Sequence, residues 1–211
     1  MIKVLNQPQQ PLIEELINRL RNQHTQAAEF RQIIAELTRF LCYHALADFT
    51  MQKRSIDTWN GQHNYPKIDQ SQLVLVPILR AGMPMLDGAQ ALLPDAGNGF
   101  LAMKRDELTH IAKTYYNRVP ECHGKTVLLL DPMLATGGSL SDAIALLKAQ
   151  GAERIISLNI IGSPEGIEQI QKHYPEVDVF ITQVDDYLDE NKFIYPGLGD
   201  AGDRAFNTPE S

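Results

Sequence analysis

Residues 127–139 read Val-Leu-Leu-Leu-Asp-Pro-Met-Leu-Ala-Thr-Gly-Gly-Ser, and no other stretch limits the possible folds as tightly. An apolar run of strand length meets one acid at its end, and a loop of small residues then leads into an amphipathic segment over residues 140–150. That order predicts strand, loop, helix. A helix N-terminus offers unpaired N–H groups and about half a positive charge, and adjacent glycines let backbone close on an anion. The loop is therefore expected to cradle a phosphate. Asp131 falls where the strand leaves the sheet, and ligands of open α/β sheets bind outside the carboxyl ends of the strands. Its carboxylate is expected to face the sugar or metal of such a ligand.

The flanking segments predict the rest of a parallel α/β sheet. Leu12, Ile13, Leu16, Ile17 and Leu20 recur at helical spacing with Pro11 at the first turn, and Phe30, Ile33, Ile34, Leu37, Phe40, Leu41 and Ala45 continue the same period in a second, longer helix. Residues 73–79 form a buried-strand run ending in Arg80-Ala81-Gly82, either a second anion site or a solvated turn, and a helix is expected over 83–93. Residues 101–103 and 126–130, 155–161 and 177–182 supply further strands. Gly151 stops the helix after the central loop, and Ser163-Pro164-Glu165 opens another with cap, proline and acid in their preferred places. Strands alternating with helices predict a mostly parallel sheet covered on both faces.

Three stretches stand outside that alternation. Residues 53–65 contain Asn60-Gly61, the dipeptide of a type I′ turn, so a β-hairpin is expected; its Trp59 and Tyr65 would pack either on the protein's own core or on another subunit. Residues 104–120 are polar without a clean period, a charged loop or a lid over the site. Residues 194–204 crowd glycine, proline and two acids together, which excludes regular helix or strand and predicts a shaped loop around a flat ligand, the alternative being a polar tail.

Composition narrows the function classes. A net charge of −7 argues against a general nucleic-acid surface, and no run approaches the roughly 18 apolar residues of a membrane span. The first residues lack the apolar core of a signal peptide, so a cytoplasmic protein is expected, with Cys42 and Cys122 as reduced thiols. The six histidines show no ligand spacing, so no metal held by protein histidines is expected.

With these pieces in place the chain resembles the uracil phosphoribosyltransferase family over about residues 11–208. Three motifs carry the resemblance: residues 76–82 (Val-Pro-Ile-Leu-Arg-Ala-Gly), the central loop 131–139, and residues 196–204 (Pro-Gly-Leu-Gly-Asp-Ala-Gly-Asp-Arg). It implies a phosphoribosyltransferase-type α/β sheet in one domain, with N-terminal helices over 12–50, a β-arm over 53–66, a core over 72–182 and a base-binding hood over 183–211. The implied reaction converts uracil and 5-phosphoribosyl 1-diphosphate to UMP and diphosphate with Mg²⁺, carried mainly by the diphosphate substrate.

Position by position, Asp131, Pro132, Met133, Leu134, Ala135, Thr136, Gly137, Gly138 and Ser139 would bind the ribose and its 5-phosphate. Arg80 and Arg105 would face the diphosphate, Asp200 would help hold that end, and Ile194, Gly199, Asp200 and Ala201 would meet uracil, largely through backbone groups. The family resemblance further implies a homodimer or higher oligomer and a possible GTP effector. Two departures from the family pattern are visible: residues 108–112 (Leu-Thr-His-Ile-Ala) keep the lid threonine without its proline, and Tyr195 stands where a small aliphatic residue is usual. A non-catalytic phosphoribosyl-diphosphate sensor and a transferase for another base are the competing readings.

Overall fold

Two apolar layers, one on each face of a central sheet, organise the chain. The computed structural model describes residues 1–105 and 112–208. In chain order the elements are β1 (Ile2–Val4), α1 (Pro11–Arg21), α2 (Ala27–Ala45), β2 (Met51–Thr58), β3 (Gly61–Ile68), β4 (Leu73–Leu79), α3 (Met83–Leu92), β5 (Gly97–Asn98), β6 (Phe100–Arg105), β7 (Ala112–Arg118), β8 (Thr126–Leu130), β9 (Met133–Leu134), α4 (Gly138–Ala149), β10 (Arg154–Gly162), α5 (Pro164–His173), β11 (Asp178–Val184), β12 (Tyr187–Leu188), β13 (Ile194–Tyr195) and α6 (Ala201–Phe206).

The main sheet runs β1-β11-β10-β8-β4-β6-β7, parallel throughout except for the antiparallel β6–β7 edge. Side-chain alternation explains why continuous apolar runs form its centre. In β8, Leu128 and Leu130 face the layer built by α1, α2, α3 and α6, whereas Val127 and Leu129 face α4 and α5. In β4, Leu73 and Leu75 point one way and Val74, Val76 and Ile78 the other. The expected parallel sheet with helices on both faces is present.

Topology then selects the site. From β4 the chain adds β6 on one side and returns through β8 to the other, so the order reverses between β4 and β8. Ligands bind at such a switch point, beyond the carboxyl ends of the strands. Arg80 follows β4 and Asp131 follows β8, while Pro77 pairs with Leu130 in register.

Several local expectations are corrected. The N-terminal β1 was not expected: three residues carry too little pattern, and the strand forms because the β11 edge is open to Ile2, Lys3 and Val4. The hairpin β2–β3 exists, but Thr58 pairs with Gly61, which puts Trp59 and Asn60 at the tip, and only Gly61 has positive φ (121°). A type I′ turn needs positive φ at both central residues; here a left-handed glycine follows the turn instead. Trp59 (97% exposed), Ile56 and Tyr65 project from the arm into solvent, so the arm does not pack on the protein's own core. Part of the 104–120 excursion is strand β7, paired with β6; residues 106–111 lie outside the described residues.

The tail is also more regular than expected. Residues 201–206 form helix α6, because Asp200 accepts a hydrogen bond from the Asp203 N–H at 2.8 Å and so caps the first turn. Pro196, Gly197 (φ 66°) and Gly199 (φ 76°) make the turns before it, and of the breakers in this stretch only Gly202 lies inside the helix.

Candidate active site

The phosphate loop is shaped from behind by β10 and the start of α5. The carbonyl of Asp131 accepts from Asn159 Nδ2 at 2.7 Å, and that of Pro132 accepts from the Ile160 and Ile161 N–H groups at 3.1 and 3.0 Å. Ser163 N–H donates to the Leu134 carbonyl, and its hydroxyl donates to the Ala135 carbonyl at 2.7 Å while accepting from Gly166 N–H. One serine thus caps α5 and pins the loop. Gly166 packs against the same carbonyls: a Cβ there would come within 2.2 Å of the Ala135 oxygen.

Beyond these anchors the loop turns at Gly137, whose φ of 76° suits glycine, and enters α4 with no side chain capping its first turn. The Gly138 N–H has only a long bond, 3.4 Å, to the Thr136 hydroxyl. The start of α4 is thus left without a side-chain cap, the kind of helix end that suits an anion.

A cleft of about 270 Å³ lies over this loop. Asp131, Met133, Leu134, Ala135, Thr136, Gly137, Gly138 and Ser139 line it, together with Leu79 and Ala81 from the end of β4 and Asp200 and Ala201 from the tail. Pro132 is buried beneath. Burial pushes the Asp131 carboxyl up to about 7, only partly opposed by the Met133 N–H, which donates to its Oδ1 at 3.3 Å. Among the described residues no cation pairs with it.

A second cavity of about 430 Å³ adjoins the first, and Met133 and Asp200 line both. Its other walls are Asp189, Phe193, Ile194, Tyr195, Pro196, Gly199 and Asp203. The structure therefore brings Ile194, Gly199 and Asp200 to one cavity and Ala201 to the other. The ring of Tyr195 stacks on Tyr187 across the β12–β13 pair, with centroids 5.0 Å apart and planes at 23°.

Arg80 follows β4, between Leu79 and Ala81 of the first cavity, and its side chain reaches Asp203 of the second. Its Nη2 donates to Asp203 Oδ1 at 2.8 Å and its Nη1 to the Thr208 hydroxyl at 3.0 Å. Arg105 ends β6, and its side chain, like the lid residues 108–111, lies outside the described residues.

Sequence reasoning missed the supports. Asp185, buried just after β11, makes two bonds to Arg21 of α1, at 2.6 and 2.8 Å, and accepts from Gly197 N–H at 2.8 Å. Arg204 lies over the Phe30 ring at 4.4 Å and donates to the Leu198 carbonyl at 2.6 Å and the Asn22 carbonyl at 2.7 Å. Both tie the tail to the N-terminal helices over more than 150 positions, and no local pattern announces them. Among the described residues, no group of three or more His, Cys, Asp or Glu could hold a metal, and no helix is long and apolar enough to cross a membrane.

A glycine loop at a helix start and an acid at the switch point of a parallel sheet, with a second cavity sharing a wall, place the site where α/β enzymes bind their ligands. The family model for uracil phosphoribosyltransferase matches residues 7–208. Proteins of that name from Aquifex aeolicus and Wolinella succinogenes are 40% and 42% identical, over 93% and 94% of this chain and 94% and 96% of theirs. One from Mycoplasma mobile is 40% identical over 99% of this chain and all of its own. A solved structure of an Aquifex aeolicus protein superposes over the full length of both chains with a TM-score of 0.93 at 39% identity. The chain belongs to the uracil phosphoribosyltransferase family.

Proposed function

We propose that the chain transfers the 5-phosphoribosyl group from 5-phosphoribosyl 1-diphosphate to uracil, giving UMP and diphosphate in pyrimidine salvage. The observation that supports this best is the shared wall of the two cavities: Met133 and Asp200 border both a phosphate cradle and a pocket of base size. A donor sugar in the first would present its reacting carbon toward a base in the second.

In this reading the Thr136 and Ser139 hydroxyls and the N–H groups at the start of α4 hold the 5-phosphate, and Asp131 orients the ribose hydroxyls. Binding both ends of the ribose phosphate fixes the sugar for in-place displacement. Arg80 and Arg105 face the leaving diphosphate and offset the charge that grows on it as the glycosidic carbon gains oxocarbenium character. Ile194, Gly199 and Ala201 present backbone to the polar edge of uracil, and Asp200 stands between base and donor.

The donor set fits Mg²⁺ delivered on the substrate. Asp131, without a cation partner among the described residues, and Asp200 are the carboxylates lining this cleft, enough for a contact at the ribose end and too few for a cage built from protein alone. Bound with the donor, Mg²⁺ would supply charge neutralisation of the diphosphate.

The arm fits a homo-oligomer. An isolated two-stranded hairpin is marginal in water, and this one carries Ile56, Trp59 and Tyr65 exposed, so a second copy covers it. Sedimentation would show a dimer or larger species, and repeating it with GTP tests a nucleotide effector. For the reaction itself, incubating the protein with Mg²⁺, phosphoribosyl diphosphate and uracil and separating the products by chromatography should yield UMP; a protein that binds the donor and forms no UMP would be a sensor instead.

A further inference from the structure

The Arg80 guanidinium is held by the tail of the chain, 123 positions away. Asp203 receives Nη2, and Thr208 receives Nη1 while its own hydroxyl donates back to the same Asp203 oxygen. The three groups close a ring of hydrogen bonds. Asp203 is itself placed by α6, since its N–H is the group that Asp200 caps. It is 8% exposed, whereas the Arg80 side chain is 56% exposed.

That contrast matters for a long side chain at the rim of a site. A free arginine in solvent samples many rotamers, and an anion that recruits it must immobilise it. Here two of its five N–H donors are taken by a fixed carboxylate and a hydroxyl, so the fork is oriented without being consumed. Leu79 and Ala81, on either side of Arg80, line the phosphate cleft, and Asp203 lines the neighbouring pocket. The anchor therefore links a wall residue of the second cavity to the segment that ends β4 beside the first.

We propose that Asp203, with Thr208 as its second strut, is a positioning residue that presents Arg80 to the diphosphate of the donor, so that closure of the tail over the base pocket and readiness of the donor site are one structural event. The proposal rests on the reading of Arg80 as a counter-charge for diphosphate. It assigns Asp203 no contact with the reacting atoms. Removing the carboxylate charge leaves Arg80 to be ordered by the substrate itself, which weakens donor affinity while sparing the base.

The test is steady-state kinetics on Asp203→Asn, Thr208→Val, Arg80→Ala and the Arg80→Ala/Asp203→Asn double variant, with thermal melts to confirm folding. Asp203→Asn should raise the KM for phosphoribosyl diphosphate roughly three- to tenfold, the scale of one side chain's ordering, and change the KM for uracil by less than about twofold. Thr208→Val should shift the same constant in the same direction by less, and it serves if Asp203→Asn fails to fold. In the Arg80→Ala background the Asp203 change should add nothing. An unchanged or lowered donor KM in Asp203→Asn, or the full effect persisting without Arg80, overturns the proposal. If Arg80→Ala alone leaves the donor KM untouched, the reading of Arg80 itself fails and the proposal falls with it, an outcome told apart by that single variant.

Discussion

Arg21, in the last turn of α1, makes a two-pronged ion pair with Asp185 at 2.6 and 2.8 Å and also donates to the Gly197 carbonyl at 2.6 Å. Asp185 is 5% exposed and takes the Gly197 N–H as well. An N-terminal helix thus fixes the turn that leads from Ile194 to Gly199, both walls of the second cavity.

Arg21→Ala leaves that carboxylate buried without its partner. Breaking one side of a buried pair typically costs about 3–5 kcal/mol. The Arg21 side chain is 22% exposed, which puts this case at the lower end. The variant should melt at lower temperature, and at a permissive temperature its KM for uracil should rise more than its KM for the donor. Equal changes in both constants would mean that the pair only stabilises the fold.

Burial of the Asp131 carboxyl should make the proposed donor site pH-sensitive. Its carboxyl titrates near 7 when folded, against an ordinary 3.8. Below about pH 4 it is neutral in both states; between there and about 7 the folded protein keeps a proton that the unfolded chain has lost, so its contribution to stability falls as pH rises across that window and is level above it. Asp131→Asn should therefore raise the melting temperature at pH 8 and leave it unchanged near pH 4. The gain is about 1–4 kcal/mol, the upper end being three pKa units at 1.36 kcal/mol each. The same substitution should lower kcat/KM for the donor by about 10²-fold or more, and in the parent protein that constant should climb from pH 6 to 8. A flat profile there would argue against an ionised Asp131 in donor binding.

Gly166 sits outside the loop it shapes. Gly166→Ala would push its methyl into the Ala135 carbonyl, which lies 2.2 Å from the Cβ position, with overpacking worth about 1–3 kcal/mol. The loop must shift, so donor KM should rise by about an order of magnitude, the affinity equivalent of about 1.4 kcal/mol. Donor affinity equal to that of the parent would show that the loop tolerates displacement.

The centre of the fold is legible in the sequence because its signals are local. Residues 127–130 are apolar for a strand buried on both faces, and Gly137 and Gly138 mark the helix entrance, so β8, its loop and α4 appear where expected. Arg80 and Asp131 are legible as candidates for the same reason, each at a strand end. What is hidden is long-range. β1 forms only because β11 offers an edge, β7 only because β6 pairs with it, and the supports Asn159, Ser163, Asp185 and Asp203 owe their partners to tertiary placement. The tail misled because Gly197 and Gly199 suggest irregular chain, whereas the Asp200 cap turns the next six residues into helix.

Both thiols should be silent in the folded protein. Cys42 and Cys122 are buried, and burial alone pushes the Cys42 thiol up to about 12. A thiol reagent such as a disulfide dye should label neither within minutes at pH 8 and both after denaturation. Labelling of Cys42 in the native state would mean that α2 opens locally.

In the proposed reaction the cleft over the central loop and the adjoining cavity act on two substrates at once. The direct measurement is diphosphate release from phosphoribosyl diphosphate and Mg²⁺ with uracil, cytosine, hypoxanthine or no base. Preferential release with uracil, at a kcat/KM about 10⁴-fold above the other bases, the scale set by leaving a pocket's polar groups unpaired, is the expected result. Release with none of them, or preferential release with another base, would contradict it.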